Sequence, residues 1–471
     1  MALDTSRGYV SRRDEDALDS HYRELEHRWQ VAHDASYEAL VVPNGNSAAP
    51  VHRWFHMKEA FSERLTSRVI DDLELANQAR VSVVDAYCGS GTVGVSLAEL
   101  VANRTLGEAS FVGVETNPFL HLAASAKLRA VQEGPQAFER SAGRVAAAAL
   151  RPGAPMAERP DLSTFRRADY VPPDHLDELL RLKAAIDTLF GDDRTIEADL
   201  ARLCLGGCVE PATMLRRDGR ALRFEPEKRP QRPIDEFLRR AALVSDDISA
   251  SSARVDGGIV LGDARTDDTF SQVEAADLAL FSPPYPNNID YTEIYKLEAW
   301  LLGLIASDEE FAAQRRATVR SHPSLKFDER LDVSDEAAIF QVAALSEPVL
   351  AAVPDGDRYA AGRRRLVNGY VQDLFATLSH LRDHLRPGGH LVYVVGNSLH
   401  GSDGGGFVIA ADLLIAAAAE IAGFEIDRIA IARRPRRRRT MSPYLRESIV
   451  FAHVPVRAGA RCAREASAGT R

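Results

Sequence analysis

A doubly wound α/β sheet interrupted by helical insertions is the fold that this sequence predicts. Short apolar runs of β character are each followed by a helical pattern, and the first of them ends in a glycine-rich turn. Later runs resume the same alternation after long, irregular stretches. With 471 residues, 45% hydrophobic and 27% charged, the chain has globular composition and room for roughly two to four domain-sized units. No apolar run is long enough to span a membrane, because Asp412 and Glu420 interrupt the Ala-rich stretch Ala410–Ala422. Met1 to Tyr22 is polar and lacks a signal peptide's apolar core. Four cysteines cannot staple a chain this size, so a disulfide scaffold is excluded and the reducing cytoplasm is expected.

Residues 1–50 read as a helical extension. Between Trp54 and Leu73, Phe61, Leu65, Val69 and Leu73 recur at helical spacing. The run Val81–Asp85 is a strand that ends at Gly89-Ser90-Gly91, with a helix over Val93–Leu100. A second strand, Phe111–Val114, ends at Glu115 and is followed by a helix from Pro118 to about Val131. Residues 51–131 are thus the first part of a core. Residues 132–256 form a Pro- and Arg-rich insertion with helical patches such as Leu176–Leu189. The core resumes over 257–301, with strands at Ile259–Asp263 and Leu278–Phe281. A helical block over Tyr295–Val353 includes a second insertion at 302–365. The last core part, 366–455, opens with an amphipathic helix over Val367–Leu385 that stops at Pro387-Gly388-Gly389. A strand at His390–Val395, a helix at Ala410–Ala422 and strands near Glu425–Ala432 and Ser448–His453 follow, and 456–471 is a tail.

Ligands of an open α/β sheet bind outside the carboxyl ends of its strands. The first such end presents Gly89, Gly91 and Gly94 in G-x-G-x-x-G spacing between strand and helix, a loop for a nucleotide-type ligand. Glu115 stands 24 residues past Gly91, where an acid can grip ribose hydroxyls. Those signals serve a nicotinamide-dependent oxidoreductase and a methyltransferase equally. Ser282-Pro283-Pro284-Tyr285 separates them. Two prolines cannot donate to a ladder, so the tetrapeptide lies beyond the strand and offers carbonyls, a hydroxyl and an aromatic face. A planar ring bearing an amino group fits that set, and an oxidoreductase would leave it unexplained.

Asp85-Ala86-Tyr87-Cys88-Gly89-Ser90-Gly91-Thr92, Glu115, Asp263 with Ala264, and Ser282-Pro283-Pro284-Tyr285 resemble the S-adenosylmethionine-dependent amino-methyltransferases that act on DNA bases. Trp54-Phe55-His56-Met57-Lys58 with Phe61 looks like that family's motif at the methionine end of the cofactor. The resemblance covers about half of the chain and implies a Rossmann-like methyltransferase sheet. It implies S-adenosylmethionine as cofactor, with Phe55, Lys58, Asp85, Tyr87, Gly89, Gly91 and Thr92 around its methionine part. Glu115 would hold the ribose and Asp263, with Ala264, the adenine. Ser282, Pro283, Pro284 and Tyr285 would be catalytic, with a Ser first in the tetrapeptide leaning toward cytosine N4 over adenine N6. DNA is the implied partner, RNA the alternative, with a companion restriction or phage-defence protein, and no metal or membrane is involved.

A cysteine nucleophile for carbon methylation is not expected, since no Pro-Cys pair occurs. Cys88 reads as packing, and Cys204 with Cys208 makes too small a set for zinc. A non-catalytic cofactor-binding module that contacts nucleic acid remains a third reading. Asn287, Asn288, Asn397 and Ser398 are further candidates near the tetrapeptide and a later strand end. The net charge of −10 does not advertise a nucleic-acid binder, but arginines cluster at Arg216, Arg217, Arg220, Arg223, Lys228, Arg229 and Arg232. Others lie at Arg315, Arg316, Arg320, Lys326 and Arg363–Arg365, and in the run Arg433–Arg439. Phosphate contact through these would make binding strongly salt-dependent.

Overall fold

Twelve strands are present among the described residues: β1 (Val31–His33), β2 (Arg80–Asp85), β3 (Glu108–Glu115), β4 (Leu215–Arg217), β5 (Leu222–Phe224), β6 (Val255–Leu261), β7 (Ala276–Phe281), β8 (Leu385–Gly396), β9 (Ser398–His400), β10 (Phe407–Ile409), β11 (Glu425–Arg433) and β12 (Glu447–His453). The structure is a computed structural model, and it describes residues 12–134, 138–159, 161, 163–165, 167, 169–191, 195–217, 222–248, 255–287, 289–326, 333–355, 359–401, 406–435 and 442–456. Eight strands form one sheet in the order β1-β11-β12-β8-β7-β2-β3-β6. Strand β12 runs antiparallel to both neighbours, and every other adjacent pair in this sheet is parallel. From β2 the chain winds outward through β3 to β6, then crosses back to lay β7 and β8 on the other side of β2. The expected doubly wound, Rossmann-like sheet is therefore observed, with its switch point between β2 and β7.

Alternation along the central strands divides the core in two. Val83, Leu278, Leu280, Val392 and Val394 point to one face. There they meet the helices Thr92–Ala102 and Pro118–Glu133, and four more helices from the first insertion, Phe138–Ala149, Pro173–Phe190, Ile196–Ala212 and Pro233–Ile248. Val84, Ala279, Phe281, Tyr393 and Val395 point to the other face, which the helices Arg12–Glu26, Glu336–Ala351, Ala360–His384 and Ala411–Ile421 cover. The first insertion thus shares one apolar core with the sheet.

Three local expectations are corrected. Trp54–Leu73 is not one helix: a single 3-10 turn at His52–Trp54 precedes a loop, and the α-helix spans only Arg64–Asp72. The buried Lys127 ammonium donates to the carbonyls of His52 (3.2 Å) and Phe55 (3.0 Å), supplying partners that a helix would otherwise have given. The block Tyr295–Val353 is broken into Lys296–Leu301, Asp308–Arg316 and Glu336–Ala351, with Ser307 and Asp335 capping the latter two. The helix read over Val367–Leu385 begins at Ala360 and ends at His384, before Pro387. Leu385 is already opposite Ala276 of β7, so sheet pairing takes over first.

Candidate functional site

At the switch point the carboxyl ends of β2, β3, β6 and β7 open onto a cavity of about 330 Å³. Tyr87 and Gly89, Glu115, Asp263, and Ser282, Pro283, Pro284 and Tyr285 all line it, together with Lys58. Thr92 and Asp85 border a side recess of about 40 Å³ that shares Gly89 and Ser282. The remaining predicted positions stand back from the wall. Phe55 is buried edge-on against Phe119 and Tyr295. Ala264 is buried behind Asp263, and Gly91 starts a helix.

The glycines have separable roles. Gly89 takes φ +52°, which L side chains rarely adopt, and a Cβ there would lie 2.8 Å from the sulfur of Met57 and push that side chain aside. Gly91 takes φ +83° and packs on Ala124, while a Cβ on Gly94 would lie 2.7 Å from the Phe111 ring and hold the helix off its strand.

Three of the carboxylates around the cavity and its recess are the predicted ones. Glu115 accepts from the backbone N–H of Gly89 (2.9 Å) and of Asn117 (2.8 Å), yet burial raises its carboxyl to about 7. Asp85 accepts from the Tyr87 N–H (3.0 Å), and burial, with Glu115 beside it, pushes it up to about 8. Asp263 is clamped by Arg265, whose other side meets Asp373, itself bound by Arg320. The Tyr87 hydroxyl is tied to Thr377 (2.7 Å) and its ring leans on Phe281.

Beyond β7, the Tyr285 hydroxyl donates to Glu447 (2.8 Å) and accepts from the Ser282 hydroxyl (3.4 Å). The second oxygen of Glu447 is held by Arg433. Burial and the Glu447 carboxylate both raise the Tyr285 phenol, which stays protonated. The ring lies against Gly396, where a Cβ would approach it to 2.7 Å. Tyr285, Arg433 and Glu447 also wall a neighbouring cavity of about 240 Å³, shared with Asn287, Asn397 and Ser398. The Asn397 amide donates to Asp412 and the Tyr444 carbonyl, and the Ser398 hydroxyl is bound to the Pro286 carbonyl. Asn288 lies outside the described residues.

Sequence reasoning missed Glu59, Tyr291, Tyr295, Gln314, Arg433 as a wall residue, and Glu447, all of which line the large cavity. Tyr291 and Tyr295, one helical turn apart just after the tetrapeptide, were the visible signal; Gln314 and Glu447 carried none. Several clustered cations are paired with carboxylates, Arg217 and Arg315 toward the interior, Arg232 and Arg364 at the surface. Arg217 pairs with Glu298 and Glu210, Arg232 with Glu178, Arg315 with Asp290 and Glu293, and Arg364 with Asp355. Arg216 is largely exposed, and Arg220 and Arg436–Arg439 lie outside the described residues. Cys204 and Cys208 share a buried helix, and the Cys208 thiol donates to the Cys204 carbonyl (3.0 Å). Among the described residues no helix is long and apolar enough to cross a membrane.

No protein-family model matches the chain. It is 22% identical over 433 residues to the type II methyltransferase M.AvaI of Nostoc sp., across 85% of this chain and 84% of that one, and identically to M.AvaI of Anabaena variabilis. It is also 22% identical over 452 residues to the type II methyltransferase M.BsoBI of Geobacillus stearothermophilus, across 82% and 81% of the two chains. Among solved structures it matches the rRNA methyltransferase aviRa of Streptomyces viridochromogenes over 87% of this chain and 92% of that one, at 10% identity and a TM-score of 0.29, too loose a superposition to bear on function. The similarity to type II methyltransferases over more than four fifths of the chain, with a sheet whose switch point holds the predicted strand ends, supports methyl transfer as the activity of this chain.

Proposed function

We propose that this chain is an S-adenosylmethionine-dependent methyltransferase that modifies an exocyclic amino group of a DNA base, cytosine N4 in preference to adenine N6. One observation carries the proposal: Glu115, Asp263 and Gly89, on the side read as cofactor-binding, share a single cavity with Ser282–Tyr285. The donor set of the cofactor fits the residues present. Its ammonium, ribose hydroxyls and adenine amino group are donors, and Asp85, Glu115 and Asp263 are acceptors. Bound there, the cofactor supplies an electrophilic sulfonium methyl.

The chain's own part is to orient an unreactive amine. A base amino lone pair is delocalised into its ring, and acceptors out of the ring plane favour a pyramidal nitrogen whose lone pair can attack. Ser282 and the Pro283 carbonyl are those acceptors in this reading. The hydrogen-bond chain explains why Ser282 accepts. A Glu447 carboxylate held by Arg433 can only accept, so Tyr285 must donate to it. The Tyr285 oxygen is then free to receive the Ser282 proton, and the Ser282 lone pairs are left for the substrate. A thymine or uracil carbonyl would meet lone pairs at that place instead of a partner. A duplex base would have to leave its stack to reach the cavity and lie against Tyr285.

The test is incubation with methyl-labelled S-adenosylmethionine and unmethylated DNA or RNA, then digestion to nucleosides for mass spectrometry. Label in N4-methylcytosine from DNA is expected. Label in N6-methyladenine would change the base, label in RNA alone would change the substrate, and no label despite cofactor binding would favour a non-catalytic module.

A further inference from the structure

The helix Asp308–Arg316, in the second insertion, brings a residue to the large cavity that no strand end accounts for. Both polar atoms of the Gln314 carboxamide, Oε1 and Nε2, are buried and without a hydrogen-bond partner. An amide shielded from water with neither donor nor acceptor used is unfavourable, and native structures rarely keep one without a reason. Its neighbours hold it in place. Arg315 is bound to Asp290 (2.8 Å) and Glu293 (3.0 Å), in the segment that follows the tetrapeptide. The Arg316 carbonyl accepts from Arg265, the residue that clamps Asp263. The amide is thus anchored between the Asp263 corner of the cavity and the approach to Ser282–Tyr285.

We infer that the Gln314 carboxamide is a ligand-binding group, paired in the complex with the amidine edge of a heterocycle, an NH₂ beside an unprotonated ring nitrogen. A carboxamide offers one donor and one acceptor side by side, which matches that edge in two parallel hydrogen bonds. Elsewhere the cavity is rich in acceptors, with Glu59, Asp85, Glu115, Asp263 and Glu447 around it or its recess. Such a set takes amino groups; the amide oxygens of Asn117 and Asn287 on the same wall already accept from backbone N–H groups, whereas both atoms of Gln314 are open, so it sets a donor for a ring nitrogen directly beside an acceptor. The inference rests on the proposed function only for naming the two heterocycles that carry this edge, the cofactor's adenine and the target base.

Gln314→Met removes both polar atoms at nearly constant length and volume. The free protein is expected to keep or raise its thermal midpoint, because an unsatisfied amide is lost. Calorimetry with S-adenosylhomocysteine and methylation kinetics on DNA then separate the two sources. A loss of about tenfold in S-adenosylhomocysteine affinity, the order of one net hydrogen bond, assigns the cofactor's adenine. Unchanged affinity with a KM for DNA raised about tenfold assigns the target base. Gln314→Leu, a second apolar replacement without donor or acceptor, should show the same loss. A lowered midpoint in the Met variant, or unchanged affinity and KM in both variants, overturns the assignment. Wild-type protein that binds no S-adenosylhomocysteine would instead overturn the functional reading, and this inference with it.

Discussion

Gly396→Ala tests whether methyl transfer depends on the placement of the Tyr285 ring. Gly396 ends β8 and is the cross-strand partner of Glu447, the residue that holds the Tyr285 hydroxyl. A Cβ there would lie 2.7 Å from Cε2 and 2.8 Å from Cδ2 of the ring. Carbon atoms rest about 3.5–4.0 Å apart, so the ring must withdraw by roughly 0.8–1.3 Å. It cannot swing away freely, since its hydroxyl is tethered to Glu447 on the same strand pair. Misplacing a reacting group by about 1 Å costs on the order of 100-fold in rate. A single-turnover assay with labelled, saturating S-adenosylmethionine should therefore fall about 10- to 100-fold. Cofactor affinity by calorimetry should change little, because Gly396 walls the neighbouring cavity, which Asp85, Gly89, Glu115 and Asp263 do not line. A rate within twofold of wild type, with the fold intact, would refute the reasoning.

Four other outcomes are expected. Asp85 at about 8 is largely protonated and Glu115 at about 7 about half protonated in the free protein near neutral pH, whereas donors of a bound cofactor favour the ionised carboxylates. Cofactor binding should release protons and tighten from pH 6 to 8.5; calorimetry in buffers of different ionisation heat counts them, and proton uptake would sink the idea. The same raised values make the free protein lose stability as pH climbs from the ordinary carboxyl range through 7 to 8. Asp85→Asn should accordingly raise the thermal midpoint more at pH 8.5 than at pH 5, and an equal change at both would contradict the burial argument. Asp412→Ala leaves the buried Arg446 guanidinium with only Glu26 and removes partners of Asn397 and Ser448, so denaturant unfolding should show a loss of about 3–5 kcal/mol. Cys88, Cys204 and Cys208 are buried and their thiols are pushed up, Cys204 to about 12, so alkylation at pH 8 followed by mass spectrometry should leave all three unmodified until the protein unfolds.

Local patterns made much of the sheet legible. Fully buried strands such as Ala276–Phe281 read as apolar runs, and Pro118 with Gly134 brackets a helix by backbone chemistry alone. Reading failed where tertiary partners replaced local ones. The loop after His52–Trp54 is held by Lys127 from a distant helix, and periodicity over Trp54–Leu73 could not anticipate that. The arginine clusters looked alike in sequence, yet Arg320 is buried on Asp373, a carboxylate 53 residues away in the chain, while Arg216 stays exposed.

By itself the sequence determined the winding of the sheet and the strand-end residues Gly89, Glu115, Asp263 and Ser282–Tyr285, because strand, turn and helix signals are local and ligands of such sheets lie at carboxyl ends. Only the tertiary structure could bring in Glu447. It begins its strand, and reaches the carboxyl end of the sheet only because β12 runs antiparallel between β8 and β11. Strand direction is set by pairing across the whole sheet, and no residue near Glu447 announces it. Gln314 was hidden for a related reason: a polar residue on a short helix looks solvated until packing shows that nothing meets its amide.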